Sequence, residues 1–249
     1  MTKEELIHLS NNLYDQALKA RAYFEVIKQY QINKVSHTEQ LNISPAFYQI
    51  TYSALNDALI MILAKLYDIN NNSLKLDTLI DECKNGTIFK ELFYTAKKQY
   101  DEDLLINYTV SEDDTCFFAD KIEKSKNTCQ RLGIPYTQAT LQLSLDEYFD
   151  FVSQKKESLS SIRQSLRNLR NKVFAHNDKL INFDYNEVLK NNGLDCKQVE
   201  NLIKFALDFS GFCYTSLTSE CIAENYLDID DWNQTLYYSE LGQKYENLI

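Results

Sequence analysis

Apolar residues in this chain recur at helical spacing. The clearest stripe is Leu159, Ile162, Leu166, Leu169 and Val173, at intervals of three and four, and three residues further on it reaches His176. A capping box, Ser144 with Glu147 three residues on, opens the long helix that carries this stripe. A first helix is predicted over about residues 3–31. A second starts after Ser44, with Pro45 in the first turn where a missing N–H costs nothing, and reaches Asp68. Its most apolar stretch, ALIMILAKLY from Ala58 to Tyr67, is interrupted by Lys65 and preceded by Asn56 and Asp57. It falls short of the roughly 20 apolar residues that span a bilayer and reads as a core helix.

Further along, Asp77 is placed to cap a short helix ended by Gly86, and Thr87 to begin another carrying Ile88, Leu92 and Phe93. Ser111 is placed to cap a helix that stops at Gly133 and Pro135. A second box, Asp195 with Gln198, opens a helix reaching about Ala223, and the tail from Asp230, with the lone Trp232, adds a short final one. No β-hairpin signal, internal repeat, low-complexity segment or linker interrupts the pattern. The expectation is one all-α, multi-helix bundle over residues 1–249.

Composition agrees. The 249 residues are 44% hydrophobic and 25% charged, and only five Gly and two Pro leave few of the punctuators that all-β folds need. A chain of this length can bury a core without staples. The six cysteines (Cys83, Cys116, Cys129, Cys196, Cys213 and Cys221) include no C-x-x-C pair, and three histidines do not complete a finger spacing, so no metal site or cofactor is expected. Buried free thiols are. The N-terminal MTKEELIHLSNNLYDQ brings acids and amides where a secretion signal needs an apolar core, which predicts a cytosolic (cytoplasmic), reducing compartment with no membrane partner.

Charge changes the picture. The formal net charge is −10, which argues against a surface that is one large footprint for nucleic acid. Yet from Lys155 to Lys179 seven basic residues meet two acids, a local charge of +5, and three of the chain's five arginines (Arg163, Arg167 and Arg170) fall there. Acids gather instead between Asp101 and Asp120, seven of them with no Lys or Arg, and are read as a solvated loop and helix start. At about 100° per residue, Arg170 and His176 lie about 120° apart on an ideal helix and flank the apolar seam without facing each other. A two-fold axis packing the seam against its copy would bring each histidine near the other subunit's arginine, so a homodimer is expected. Taken alone, these residues also fit a histidine ending a helix and cations complementing its dipole.

Arg170, Asn171, Lys172, Val173, Phe174, Ala175 and His176 resemble the R-x(4–6)-H motif of the HEPN superfamily, with a polar residue directly after the arginine. Together with FYQITYSALNDALIMILAKLYD (residues 47–68) and Ala175 to Asp178, they resemble its abortive-infection, AbiU-like branch. The resemblance covers about residues 45–180 and leaves a helical extension over about 181–249 unassigned. It implies an α-helical bundle, usually dimeric, and in many members a metal-independent endoribonuclease acting as a toxin or in phage defence. HEPN toxins governed by nucleotidyltransferase antitoxins carry H-x-Y here, whereas this chain has Asp178 two residues after His176, which puts that mode of control in doubt. Asp178 either orients the imidazole or caps the following turn.

The residue types suit such chemistry. Metal-free RNA cleavage needs a group that titrates near neutrality to move the 2′-hydroxyl or leaving-oxygen proton, and a cation to meet charge developing on phosphate. His176 and Arg170 would supply them, and Asn171 would orient the arginine or a phosphate. Arg163, Arg167 and Lys172 would contact the RNA backbone rather than read bases. The expected partners are an RNA substrate, a second copy of the chain, and an antitoxin or other protein. Two other readings stay open: a non-catalytic HEPN-type module that binds a partner protein, and nucleotide binding with Arg170 on phosphate.

Overall fold

The computed structural model describes residues 1–68, 75–100, 105–133, 135–136, 140–171, 193–220, 222, 234–235, 237–239 and 241–242. They fold almost entirely into helices, as the all-α expectation requires. Backbone contacts divide the chain into two compact units, residues 1–80 with 161–249, and residues 81–160.

The first unit contains α1 (Lys3–Asn33), α2 (Thr38–Ile43), α3 (Pro45–Leu66), the start of α4 (Leu76–Asn85), most of α8 (Ser160–Leu169) and α9 (Cys196–Thr218). Thr2 and Glu5 form a capping box that starts α1, and Asp195 and Gln198 form the one that starts α9. The first of these boxes is a sequence signal that the periodicity reading passed over. α1 packs against α9 and α3. Its inward stripe, Leu6, Leu9, Leu13, Ala17, Ala20, Phe24 and Ile27, is buried throughout, as are Leu202, Ala206, Phe209 and Ser210 of α9. Small side chains let the two backbones approach. A Cβ at Gly211 would stand 3.1 Å from the ring of Tyr14, so glycine is needed where α9 passes that ring. α9 ends at Thr218 rather than near Ala223, because Ser219 turns into the left-handed region at φ 60°.

The second unit holds the end of α4, α5 (Thr87–Tyr100), strand β1 (Ile106–Thr109), a 3-10 helix (Glu112–Phe118), α6 (Ala119–Leu132), strand β2 (Thr140–Leu143) and α7 (Leu145–Ser158). The strands pair antiparallel, Ile106 opposite Leu143 and Thr109 opposite Thr140. No strand was expected. Each is only four residues long and its partner lies beyond an intervening helix, so no local hairpin signal exists for a sequence reading to find. α6 does end at Gly133, whose φ of 67° suits a residue without a Cβ. Ser111 precedes the 3-10 helix but makes no cap; its hydroxyl donates to Asp114.

The long helix expected from Ser144 is two. The Ser144 and Glu147 box starts α7 as read, but the helix stops at Ser158, whose hydroxyl donates to the Lys155 carbonyl at 2.7 Å, and α8 begins after Leu159. A serine side chain competing for backbone acceptors loosens the turn there. Leu159, Leu166 and Leu169 are buried on the expected stripe, and Ile162 is half-buried. Val173 and Trp232 lie outside the described residues. Of the cysteines described, Cys83 and Cys213 are buried, but Cys116 and Cys196 are exposed, so the expectation of buried thiols holds for only part of the set. Among the described residues no helix is long and apolar enough to cross a membrane.

Nor is the acidic run wholly solvated. Asp114 is only 2% exposed and accepts hydrogen bonds from the hydroxyls of Tyr108 at 2.7 Å and Ser111 at 2.6 Å and from the Lys155 ammonium. Tyr108, Phe117, Phe118 and Phe151 pack their rings around this pair. Burial works to raise the Asp114 carboxyl, but the hydrogen bonds from Lys155, Ser111 and Tyr108 outweigh it and leave it below its ordinary value. A carboxyl depressed on folding adds stability that is full above its unfolded value, near pH 4, and fades as the pH falls through the lower folded value. Removing one partner of a buried pair strands the other charge. Lys155→Met is therefore expected to cost about 3–5 kcal/mol at pH 7. The double change to Asp114→Asn with Lys155→Met should recover much of it, both read from urea midpoints.

Candidate active site

Arg163, Arg167 and Arg170 stand at positions i, i+4 and i+7 of the segment that begins with α8, on one helical face beside the buried Leu166 and Leu169. They line one small cleft together with Ala64, Tyr67 and Asp68 from the end of α3. The three arginines meet different surroundings there.

Arg163 is turned inward. Its side chain is 11% exposed, its Nη2 donates to Asp77 Oδ2 at 2.6 Å, and its guanidinium carbon lies 5.7 Å from the centre of the Tyr67 ring. Its Nε is buried with no hydrogen-bond partner among the described residues. Arg163, expected to contact the RNA backbone, is held here by a carboxylate and an aromatic face. Asp77 departs from its expected place, because α4 starts at Leu76 and the carboxylate lies inside the first turn, facing Arg163 rather than capping.

Tyr67 ties the cluster to α9. Its hydroxyl donates to the Leu202 carbonyl at 2.5 Å. Burial pushes the Tyr67 hydroxyl well above its usual value; Arg163 opposes the shift, and Asp77 and Asp208 add to it. At neutral pH the phenol stays protonated and acts as a donor, not as a base.

Arg170 is half-buried, and two groups hold it. Its Nε donates to Asn171 Oδ1 at 3.0 Å, and its Nη1 lies 3.2 Å from Asp68 Oδ2, with the two charged side chains 25% and 20% exposed. Adjacent residues of an ideal helix do not face one another. The Arg170 to Asn171 bond coincides with a switch of the backbone to wider π-helical hydrogen bonding at these two residues, a local geometry frequent at functional sites. The uniform 100° step that set Arg170 and His176 about 120° apart therefore ceases to apply at Arg170. Arg167, between the two held arginines, is exposed and carries no ion pair among the described residues.

The structure thus brings Arg163, Arg167 and Arg170 to one cleft, with Asn171 bonded to Arg170, while Lys172 and His176 lie outside the described residues. Asp68, Asp77 and Tyr67 are the residues that the sequence reading missed. One signal existed for Asp68: it lies two residues past the end of α3, where the negative end of the helix dipole disfavours a carboxylate. Among the described residues no group of three or more His, Cys, Asp or Glu is placed to hold a metal ion.

No curated protein and no solved structure matches this chain. A family model does: the HEPN model described as AbiU2 matches residues 3–217. The match is longer than the resemblance over about 45–180 and takes in α1 and α9, the two helices whose packing forms the middle of the first unit. With the motif arginine, its polar neighbour and a helical frame all in place, the chain belongs to the AbiU2 family of HEPN proteins.

Proposed function

We propose that this AbiU2-family chain is a metal-independent endoribonuclease of an abortive-infection or toxin system. The observation that carries the reading is the fixed guanidinium of Arg170, held at Nε by Asn171 and at Nη1 by Asp68 where the motif begins. A preorganised cation beside a reacting phosphate stabilises charge as it develops, without reorganising at that moment. With Nε and Nη1 engaged, Nη2 is the nitrogen offered to the phosphate. His176 removes the proton from the 2′-hydroxyl; the 2′-oxygen attacks the adjacent phosphorus, the bond to the 5′-oxygen breaks, and that oxygen takes up a proton from water. The products are a 2′,3′-cyclic phosphate and a 5′-hydroxyl. Asn171 orients Arg170, while Arg167 and Lys172 contact the backbone on either side.

The chain acts as a homodimer in this reading, with each site completed across a two-fold axis, and light scattering at tens of micromolar should return twice the chain mass. A second reading has its own support. Ion pairs of Arg163 and Arg170 with Asp77 and Asp68 equally suit a rigid, non-catalytic module that binds a partner protein. Cleavage separates the two.

Purified protein should cut single-stranded RNA in EDTA, leave 2′,3′-cyclic ends and spare DNA. Arg170→Ala and His176→Ala should each lower the rate by about 10²-fold or more with helix content unchanged. An intact RNA pool under all conditions, with a protein partner still bound, would favour the module instead. The neighbouring arginines should divide sharply. Arg167→Ala should weaken RNA binding and reduce its salt slope by about 1, with the melting temperature unmoved. Arg163→Met should remove the ion pair with Asp77 and cost about 2 kcal/mol of stability, less than for a fully buried pair, measured in urea.

A further inference from the structure

We propose that Asp68 is the positioning residue of Arg170, an inference that rests on the endoribonuclease reading. Four observations lead there. Asp68 is the second residue after α3, and its own N–H donates to the Lys65 carbonyl, so the carboxylate sits just past the end of a helix where the backbone dipole repels it. A residue placed against its local preference points to a compensating interaction elsewhere. The compensating charge is Arg170, 3.2 Å away, in a pair about three-quarters buried and hence weakly screened by solvent.

Next, Asp68 is not needed to neutralise the other buried arginine. Arg163 has its own acid in Asp77 at 2.6 Å, so the cleft pairs one carboxylate with each inward-facing guanidinium and none with the exposed Arg167 among the described residues. Finally, the guanidinium is planar and delocalised, so fixing one corner leaves the plane free to swing about the bond to the chain. Asn171 at Nε and Asp68 at Nη1 together stop that rotation. Asn171 neighbours Arg170 in the chain, whereas Asp68 reaches it from another helix. Asp68 thereby sets the direction of Arg170 relative to α3.

The charge of Asp68 makes this role separable from RNA binding. A carboxylate beside the cleft repels phosphate, so removing it should not weaken RNA binding and can strengthen it. Losing the direction of Arg170 should nevertheless slow turnover, because a misplaced charge-stabilising group loses most of its effect.

The test uses the full chain with Asp68→Asn and Asp68→Glu. In EDTA, cleavage of a labelled single-stranded RNA should show kcat about 10- to 100-fold lower for Asp68→Asn, with KM unchanged or lower, and partial recovery in Asp68→Glu. RNA affinity measured in the His176→Ala background should be equal or tighter when Asp68→Asn is added. A kcat within about twofold of wild type, or a loss expressed wholly as weaker binding, would overturn the proposal. A readout independent of turnover separates this from failure of the nuclease reading. The Nη hydrogens of Arg170, assigned through Arg170→Lys, should be slowly exchanging in wild type and Asp68→Glu by ¹⁵N NMR, and fast in Asp68→Asn, because Nη1 is the nitrogen that Asp68 holds. If wild type cleaves no RNA, the nuclease reading falls; if the Arg170 signal is the same in all three proteins, the positioning role falls whatever the activity.

Discussion

A helix that turns arginines toward a protein interior requires acids to meet them, and the ion pairs of α8 are the constraint on which the candidate site depends. An unpaired guanidinium in a low-dielectric place costs several kcal/mol, enough to cancel what a helix of this length gains from packing two or three leucines. Arg163 and Arg170 are accommodated because Asp77 and Asp68 come from two separate segments, the start of α4 and the second residue after α3. The arginine face therefore dictates where those segments lie, and Tyr67, next to Asp68 in the chain and beside the Arg163 guanidinium, extends the cluster to the Leu202 carbonyl of α9. Four elements of the first unit are joined by one set of charges and one phenol.

Apolar packing supplies the frame for that cluster. The first unit is discontinuous: α1 and α3 lie early in the chain, α8 and α9 late. They meet through α1, whose stripe of leucines and alanines faces the alanine, serine and glycine positions of α9. Ser10 and Ser210 sit in this seam without cost because each hydroxyl donates to a carbonyl of its own helix, those of Ile7 and Ala206. The family match over residues 3–217 follows the same logic, since a fragment ending near residue 180 would omit half of the seam.

The second unit solves a similar problem with one pair. Lys155 and Asp114 are both buried, and the carboxylate accepts from two further hydroxyls. Aromatic rings exclude water around them, which strengthens the pair and raises the cost of leaving either member alone. The pair anchors the 3-10 helix to α7, and so turns part of an acidic run that looks solvent-exposed in the sequence into an internal support.

What the sequence determined by itself is local. Helix content, the capping boxes at Ser144 and Asp195, the stop at Gly133 and the stripe of Leu159, Leu166 and Leu169 were legible because periodicity and caps act within one or two turns. The motif arginine and its neighbour were legible too, since they adjoin in the chain. Tertiary structure decided the rest. The two short strands, the break at Leu159, the burial of Asp114 and the inward turn of Arg163 each depend on a partner elsewhere in space: a strand beyond a helix, a carbonyl preferred by a serine, a lysine on α7, an acid on α4. Arg163 and Arg167 are alike in sequence, one turn apart on one face, yet one is held inside and the other stands in solvent. Their difference arises from Asp77, 86 residues away from Arg163 along the chain, because charge is neutralised by what lies within a few ångströms and not by what lies within a few residues.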